Sequence, residues 1–213
     1  MDRRSWTCAL PVAVAILLFA APASAKVLKL RIDPATTEIV ATVDAPLARI
    51  QGNVSGTFRV ITGEVDGDPA DPAATGHVDI VIDATSYQSG SARRDDAILR
   101  DVLETRFYQV IKFVSTRIEN LKWDAPNVIG SATIVGNLTL HGVTREIRVP
   151  IGATLSTDGS FSADGDIQFD YTDFGIMPPH GLLGVLRAGK IVDLNFRVIA
   201  APADAPASTA PQH

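Results

Sequence analysis

Residues 128–151, VIGSATIVGNLTLHGVTREIRVPI, constrain this chain more than any other stretch. They hold two runs of alternating apolar and polar residues joined by His141-Gly142. Val128, Ala132, Ile134, Leu138 and Leu140 fall in one row with Gly130 and Gly136; Ser131, Thr133, Asn137 and Thr139 fall in the other. Beyond the turn, Ile147, Val149 and Ile151 alternate with Glu146, Arg148 and Pro150. Side chains on a strand point to opposite faces with period two, so each run has one apolar and one polar face. Gly142 can take a positive φ without a Cβ penalty, which suits a tight hairpin turn. The stretch predicts a long antiparallel hairpin with one apolar face, inside an all-β chain.

The same period recurs elsewhere. Strands are expected over residues 27–32, 38–43, 56–65, 76–83, 110–121, 160–171 and 190–200. In 56–65 the alternation sets Phe58 and Val60 on one face and Arg59 on the other. The inward rows then hold Phe58, Ile80, Ile134, Phe169 and Phe196. Residues 65–75, VDGDPADPAAT, read as a loop that cannot pair in a sheet. One segment breaks the pattern. Residues 92–105 place Ile98, Leu99, Val102 and Leu103 at helical spacing, with Asp95 and Asp96 in the first turn and Ser91 as candidate N-cap. One helix between the fourth and fifth strands of an antiparallel meander fits a barrel with a lid. A two-sheet sandwich fits the alternation equally well.

The N-terminus reads as an export signal. Arg3 and Arg4 precede the apolar run of residues 11–21, and Ala23-Ser24-Ala25 follows it as a small-x-small cleavage site. The mature chain is expected to begin at Lys26 and to work in the periplasm. Cys8, the one cysteine, falls inside the signal, so no disulfide is expected. Residues 26–200 then form one domain, and residues 201–213, rich in Ala and Pro, a disordered tail. The formal charge of −5, without a basic run, argues against a nucleic-acid partner.

Familiar catalytic signatures are missing. The histidines, His77, His141, His180 and His213, form no HExxH pair, and no GxSxG, SxxK, Walker A or strand-borne GxGxxG stands in the chain. No metal, cofactor or catalytic residue is expected. His141 reads as a solvated turn residue. Arg93-Arg94-Asp95-Asp96 reads as a helix start with an internal ion pair, and Asp83, Asp164, Asp166 and Asp170 as the wet face of strands.

Four landmarks stand in order: residues 83–95 (DATSYQSGSARRD), the helix through Leu103-Glu104, residues 136–145 (GNLTLHGVTR) and residues 173–176 (DFGI). Together they resemble the YceI-like family of exported polyisoprenoid-binding proteins, over roughly residues 30–199. The resemblance implies an eight-stranded antiparallel, lipocalin-like barrel with a helix near one mouth. It also implies a long apolar ligand, an isoprenoid quinone or polyprenyl phosphate, threaded through the barrel. Two departures stand out. Residues 33–37 (DPATT) lack the family's usual tryptophan and His-Ser pair, and Tyr108-Gln109 replaces a Tyr/Phe-Pro step.

On this reading the ligand residues are Phe58, Ile80, Ile134, Phe169 and Phe196 in the wall. A rim is expected from the helix and residues 174–186, through Leu99, Leu103, Phe107, Phe174 and Ile176, with Arg94 as the nearest cation for a head group. The leading function is a non-catalytic carrier of an isoprenoid lipid or similar amphiphile. Two alternatives stand beside it. One is an interaction module with a protein-filled barrel that works beside a membrane redox protein. The other is an enzyme using Arg94, Asp95 or His141. A homodimer is compatible with each.

Overall fold

The computed structural model describes residues 27–44, 53–123, 128–177 and 189–203. The expected signal lies outside them, as does most of the expected tail. The strands are β1 (Leu28–Ile32), β2 (Glu38–Asp44), β3 (Asn53–Phe58), β4 (Ile61–Gly67), β5 (His77–Asp83), β6 (Tyr87–Gln88), β7 (Val110–Trp123), β8 (Val128–Leu140), β9 (Val143–Leu155), β10 (Phe161–Asp170) and β11 (Ile191–Pro202). The helices are α1 (Pro72–Thr75) and α2 (Ala92–Asp101). Eight strands run in the order β1-β4-β5-β7-β8-β9-β10-β11, and β11 pairs back to β1. The result is a closed antiparallel barrel, and β2, β3 and β6 extend its wall from β11. Closure removes the free edges that a flat sheet would expose.

The 128–151 hairpin folds as its pattern requires. Every residue of β8 from Val128 to Leu140 has a partner on β9, ending at Leu140↔Val143. His141 (φ 52°) and Gly142 (φ 75°) make the two-residue turn, both in the left-handed region that matches strand twist. Ala132, Ile134, Leu138 and Leu140 are buried. Val135, on the opposite row, is also fully buried. Its cross-strand neighbours Arg117 and Arg148 account for this. Arg117 bonds Glu119 (2.8 Å) and Glu146 (3.0 Å), and Arg148 bonds Glu119, so their stems lie over the valine.

Five sequence expectations need correction. The run 56–65 is two strands, because the N–H groups of Arg59 and Val60 leave the ladder and donate to Ser86 Oγ, each at 3.1 Å. Val60 is thereby turned out, 48% exposed, while Phe58 is buried. Residues 65–75 are not all loop. Val65 and Asp66 pair with both β1 and β5, Gly67 pairs with β1, and Pro72–Thr75 is helical with Asp71 accepting from Ala74 N at 3.2 Å. The helix expected over 92–105 stops at Asp101, since the N–H groups of Val102 and Leu103 both turn to Ile98 O and Glu104 takes φ 44°. Ser91 caps it through its carbonyl, which accepts from Arg94 N and Asp95 N, and not through its hydroxyl. Finally, β11 runs past residue 200: Ala201 and Pro202 pair with Arg31 and Leu30.

The interior has two halves. At the α2 end, Ile61, Ile82, Tyr87, Ile111, Leu140, Tyr171, Phe174 and Ile176 form a packed cluster, and Ile98 and Leu99 of α2, with Val102 and Leu103 just beyond its end, press on it. The turn after β10, Tyr171–Phe174, is held there by Asp170, which accepts from Thr172 N (2.8 Å) and Thr172 Oγ1 (2.6 Å). The α1 end is built differently.

Candidate functional site: an apolar cavity at the α1 end

The inner rows of the barrel strands enclose a cavity of about 210 Å³. Leu30, Val65, Ile80, Phe113, Ile118, Ile134, Ile151, Ile167 and Phe196 line its depth. It reaches the surface at the α1 end, where Leu28, Pro69, Pro72, Leu121, Leu155 and Phe161 surround it. The surface facing the hollow is almost wholly apolar.

Residue size explains why this half is not filled. Ala132, Ala153 and Ala163 stand on inner rows where larger residues would reach the centre. Glycines let two aromatic rings lie against the wall. A Cβ on Gly136 would stand 2.6 Å from Phe113 Cζ, and one on Gly165 would stand 2.8 Å from Phe196 Cζ. Each ring occupies the space a side chain would have taken, and the lumen beside it stays open. The bulges in β7, after Ser115 and after Glu119, keep Ile118 and Leu121 on the inner row as the strand turns toward the mouth.

The expected ligand residues divide between the two halves. Ile80, Ile134 and Phe196 line the cavity. Phe58, Phe169, Phe174 and Ile176 belong to the packed core, with Phe58 edge-on to Tyr87 (5.5 Å) and Phe169 edge-on to Phe174 (5.4 Å). Leu99 and Leu103 pack on that core from outside. Phe107 is 72% exposed beneath the Arg106 guanidinium. Arg94 binds Ser89, with Nε to Oγ and Nη2 to the carbonyl at 2.7 Å each. The expected rim at the helix is therefore not where this cavity opens: α2 closes the opposite end. Residues 178–186 of that rim lie outside the described residues. Leu99 instead borders a separate, open hollow with Asp96, Glu104 and Phe107.

Sequence reasoning missed Phe113, Leu121, Leu155 and Phe161 as cavity residues, and the Pro69–Pro72 lip. The period-two rows contained most of them, but around residues 111–114 β7 is apolar on both faces and conceals which side is in. Two further readings change. His141 is not solvated: its side chain is 11% exposed, its Nε2 lies 2.8 Å from Glu104 Oε2, and Tyr108 packs on it at 4.1 Å. Arg94 and Asp95 do not form an ion pair. Asp95 accepts from Ser89 N at 2.8 Å, so both residues clamp Ser89. Asp83 and Asp170, expected on wet strand faces, cap the turns that follow them through Thr85 and Thr172.

Burial raises two phenols. The Tyr171 phenol is pushed above its ordinary range by burial, with Asp170 adding to the effect. Tyr87 is raised by burial and then by Asp95. Among the described residues, Asp66 Oδ1, Asp79 Oδ1 and the Tyr171 hydroxyl are shielded from solvent without a hydrogen-bond partner.

The model of the YceI-like domain matches residues 30–200. The chain belongs to the YceI-like family. A UPF0312 protein of Pseudomonas putida strain W619 is 31% identical over 134 residues, 59% of this chain and 65% of the relative. A UPF0312 protein of Vibrio vulnificus strain YJ016 is 28% identical over 151 residues, 68% of this chain and 72% of the relative. The chain thus spans just under two thirds of the Pseudomonas protein's length. Among solved structures, Burkholderia cenocepacia BcnA superposes with a TM-score of 0.65 at 20% identity, covering 80% of this chain and 99% of the other. A polyisoprenoid binding domain from Saccharophagus degradans, implicated in plant cell wall breakdown, gives 0.64 at 15%, covering 82% and 99%. At such identities these two matches speak for the shared barrel.

Proposed function

We infer that this YceI-like barrel holds the apolar chain of an isoprenoid lipid in its cavity and serves as a non-catalytic carrier after export to the periplasm. The observation that carries the reading is the hollow itself. Its volume of about 210 Å³ exceeds the roughly 150 Å³ at which an apolar cavity stays dry and takes up benzene. A cavity of this kind leaves its walls short of contacts, and an apolar chain supplies them. Each isoprene unit brings five carbons, so burying one contributes about 4 kcal/mol before association costs. The volume suits a short run of units, with the rest of a long chain continuing through the mouth. The name of the Saccharophagus neighbour, a polyisoprenoid binding domain, supports this ligand class. The export signal expected over residues 1–25 argues for the compartment. A protein-filled barrel describes the α2 half of the interior but not the α1 half.

The test is organic extraction of protein purified from the cell envelope, followed by mass spectrometry of lipid and protein. A prenyl lipid in the extract, on a chain that begins at Lys26, is the expected result. A blank extract from folded protein removes the carrier, and an intact 1–25 segment removes the export route.

A further inference from the structure

Resting on the reading that the cavity holds a prenyl chain, we propose that the α1 end of the barrel is a membrane-docking face. Its apolar rim seats on a zwitterionic lipid surface, and the chain passes between bilayer and cavity without crossing water. A lipid that leaves a bilayer through water exposes its isoprene units, and each exposed unit slows the step by roughly a thousandfold. Contact between the opening and the lipid surface removes that barrier. The cavity opens among Leu28, Pro69, Pro72, Leu121, Leu155 and Phe161, each of them partly exposed. Val27, beside Leu28, is 49% exposed. An exposed apolar ring around an opening is a docking surface for lipid or partner. The course of the chain argues for lipid. β1 begins at this rim with Leu28, and β11 ends there, with Ala203 N donating to Lys29 O at 3.2 Å. Residues 22–27 alone separate β1 from the apolar run of residues 11–21, a reach of at most about 20 Å. A chain still held in the membrane by that run presents the α1 end, and not the α2 end, to the bilayer. Charge selects the kind of surface. Among the described residues near the rim, Lys29 and Lys122 are outnumbered by Asp66, Asp68, Asp71 and Asp158, so the seating rests on apolar contact and not on anionic lipid.

The experiment loads protein purified from the cell envelope with a fluorescent prenyl lipid and follows its transfer to phosphatidylcholine vesicles. Transfer by contact is expected, with a rate that rises in proportion to vesicle concentration. Release through water would give a rate set by dissociation alone and independent of the vesicles. Val27→Asp/Ala70→Asp places two carboxylates on exposed rim positions that do not line the cavity. This variant should load the probe as the wild type does and transfer it at least about fivefold more slowly. Phe107→Asp, at the opposite end, should leave the rate unchanged, and adding phosphatidylglycerol to the vesicles should not raise it. A rate independent of vesicle concentration, or one slowed by Phe107→Asp and not by the rim pair, overturns the docking face and leaves the lipid cavity standing. So does a dimer in solution that the rim pair dissociates, because it gives the rim to a second copy of the chain. Failure of the folded wild type to load the probe overturns the cavity reading itself.

Discussion

Phe196 and Asn195 show how much one residue step decides in this wall. Phe196 faces the lumen and lies flat over Gly165. Asn195 faces solvent opposite Asp166 of β10. Phe196→Asp would place a carboxylate in an apolar hollow with no cation on its lining, which costs several kcal/mol or forces protonation. Asn195→Lys would set a cation opposite Asp166 and should change stability by no more than about 0.5 kcal/mol. Urea denaturation of the two variants measures the difference. Equal midpoints would mean that β11 is shifted by one residue, because a slip of one exchanges the faces.

At the scale of elements, the turns are set by side chains that reach a short way along the chain. Asp170 caps the turn at Tyr171–Phe174, and its carboxyl is held below the usual range by the Thr172 hydroxyl and then by the Thr172 N–H. A depressed folded-state pKa means the unfolded carboxylate takes up its proton first as pH falls. The cap's stabilisation is therefore present above the ordinary carboxylate range and is lost as pH drops through the lowered value. The stability gap between the wild type and Asp170→Ala should be flat near neutral pH and shrink in acid; a gap that persists unchanged in acid would assign the effect to packing. Such local features were partly legible in sequence. Long alternations made β8 to β11 readable, because every second residue reports the same face. The break between β3 and β4 was not readable, since it depends on Ser86, a hydroxyl twenty-six residues downstream of Val60. The end of α2 was hidden for a similar reason. Val102 and Leu103 keep helical spacing, but they leave the helix to reach the core. Glu104, at positive φ, meets His141 across the fold, a contact no local pattern encodes.

The molecule as a whole is a barrel packed at one end and hollow at the other. The rows that line the hollow could be read from period two. Which end stays empty could not, because it is decided by where α2 and the Tyr171–Ile176 segment dock, and both dock on the same end. The central claim is that an apolar chain occupies the α1 half and enters away from α2. Titration with a fluorescent prenyl lipid of the wild type, Ala132→Leu/Ala163→Leu and Leu99→Trp tests it most directly. The two leucines fill the lumen from β8 and β10, while the tryptophan stands on the outer side of the packed end. Saturation at one lipid per barrel is expected for the wild type and for Leu99→Trp, with at least a tenfold loss in the filled variant while its melting temperature holds. Unchanged binding in the filled variant, or loss of binding in a folded Leu99→Trp, would place the lipid at the α2 end and contradict the claim.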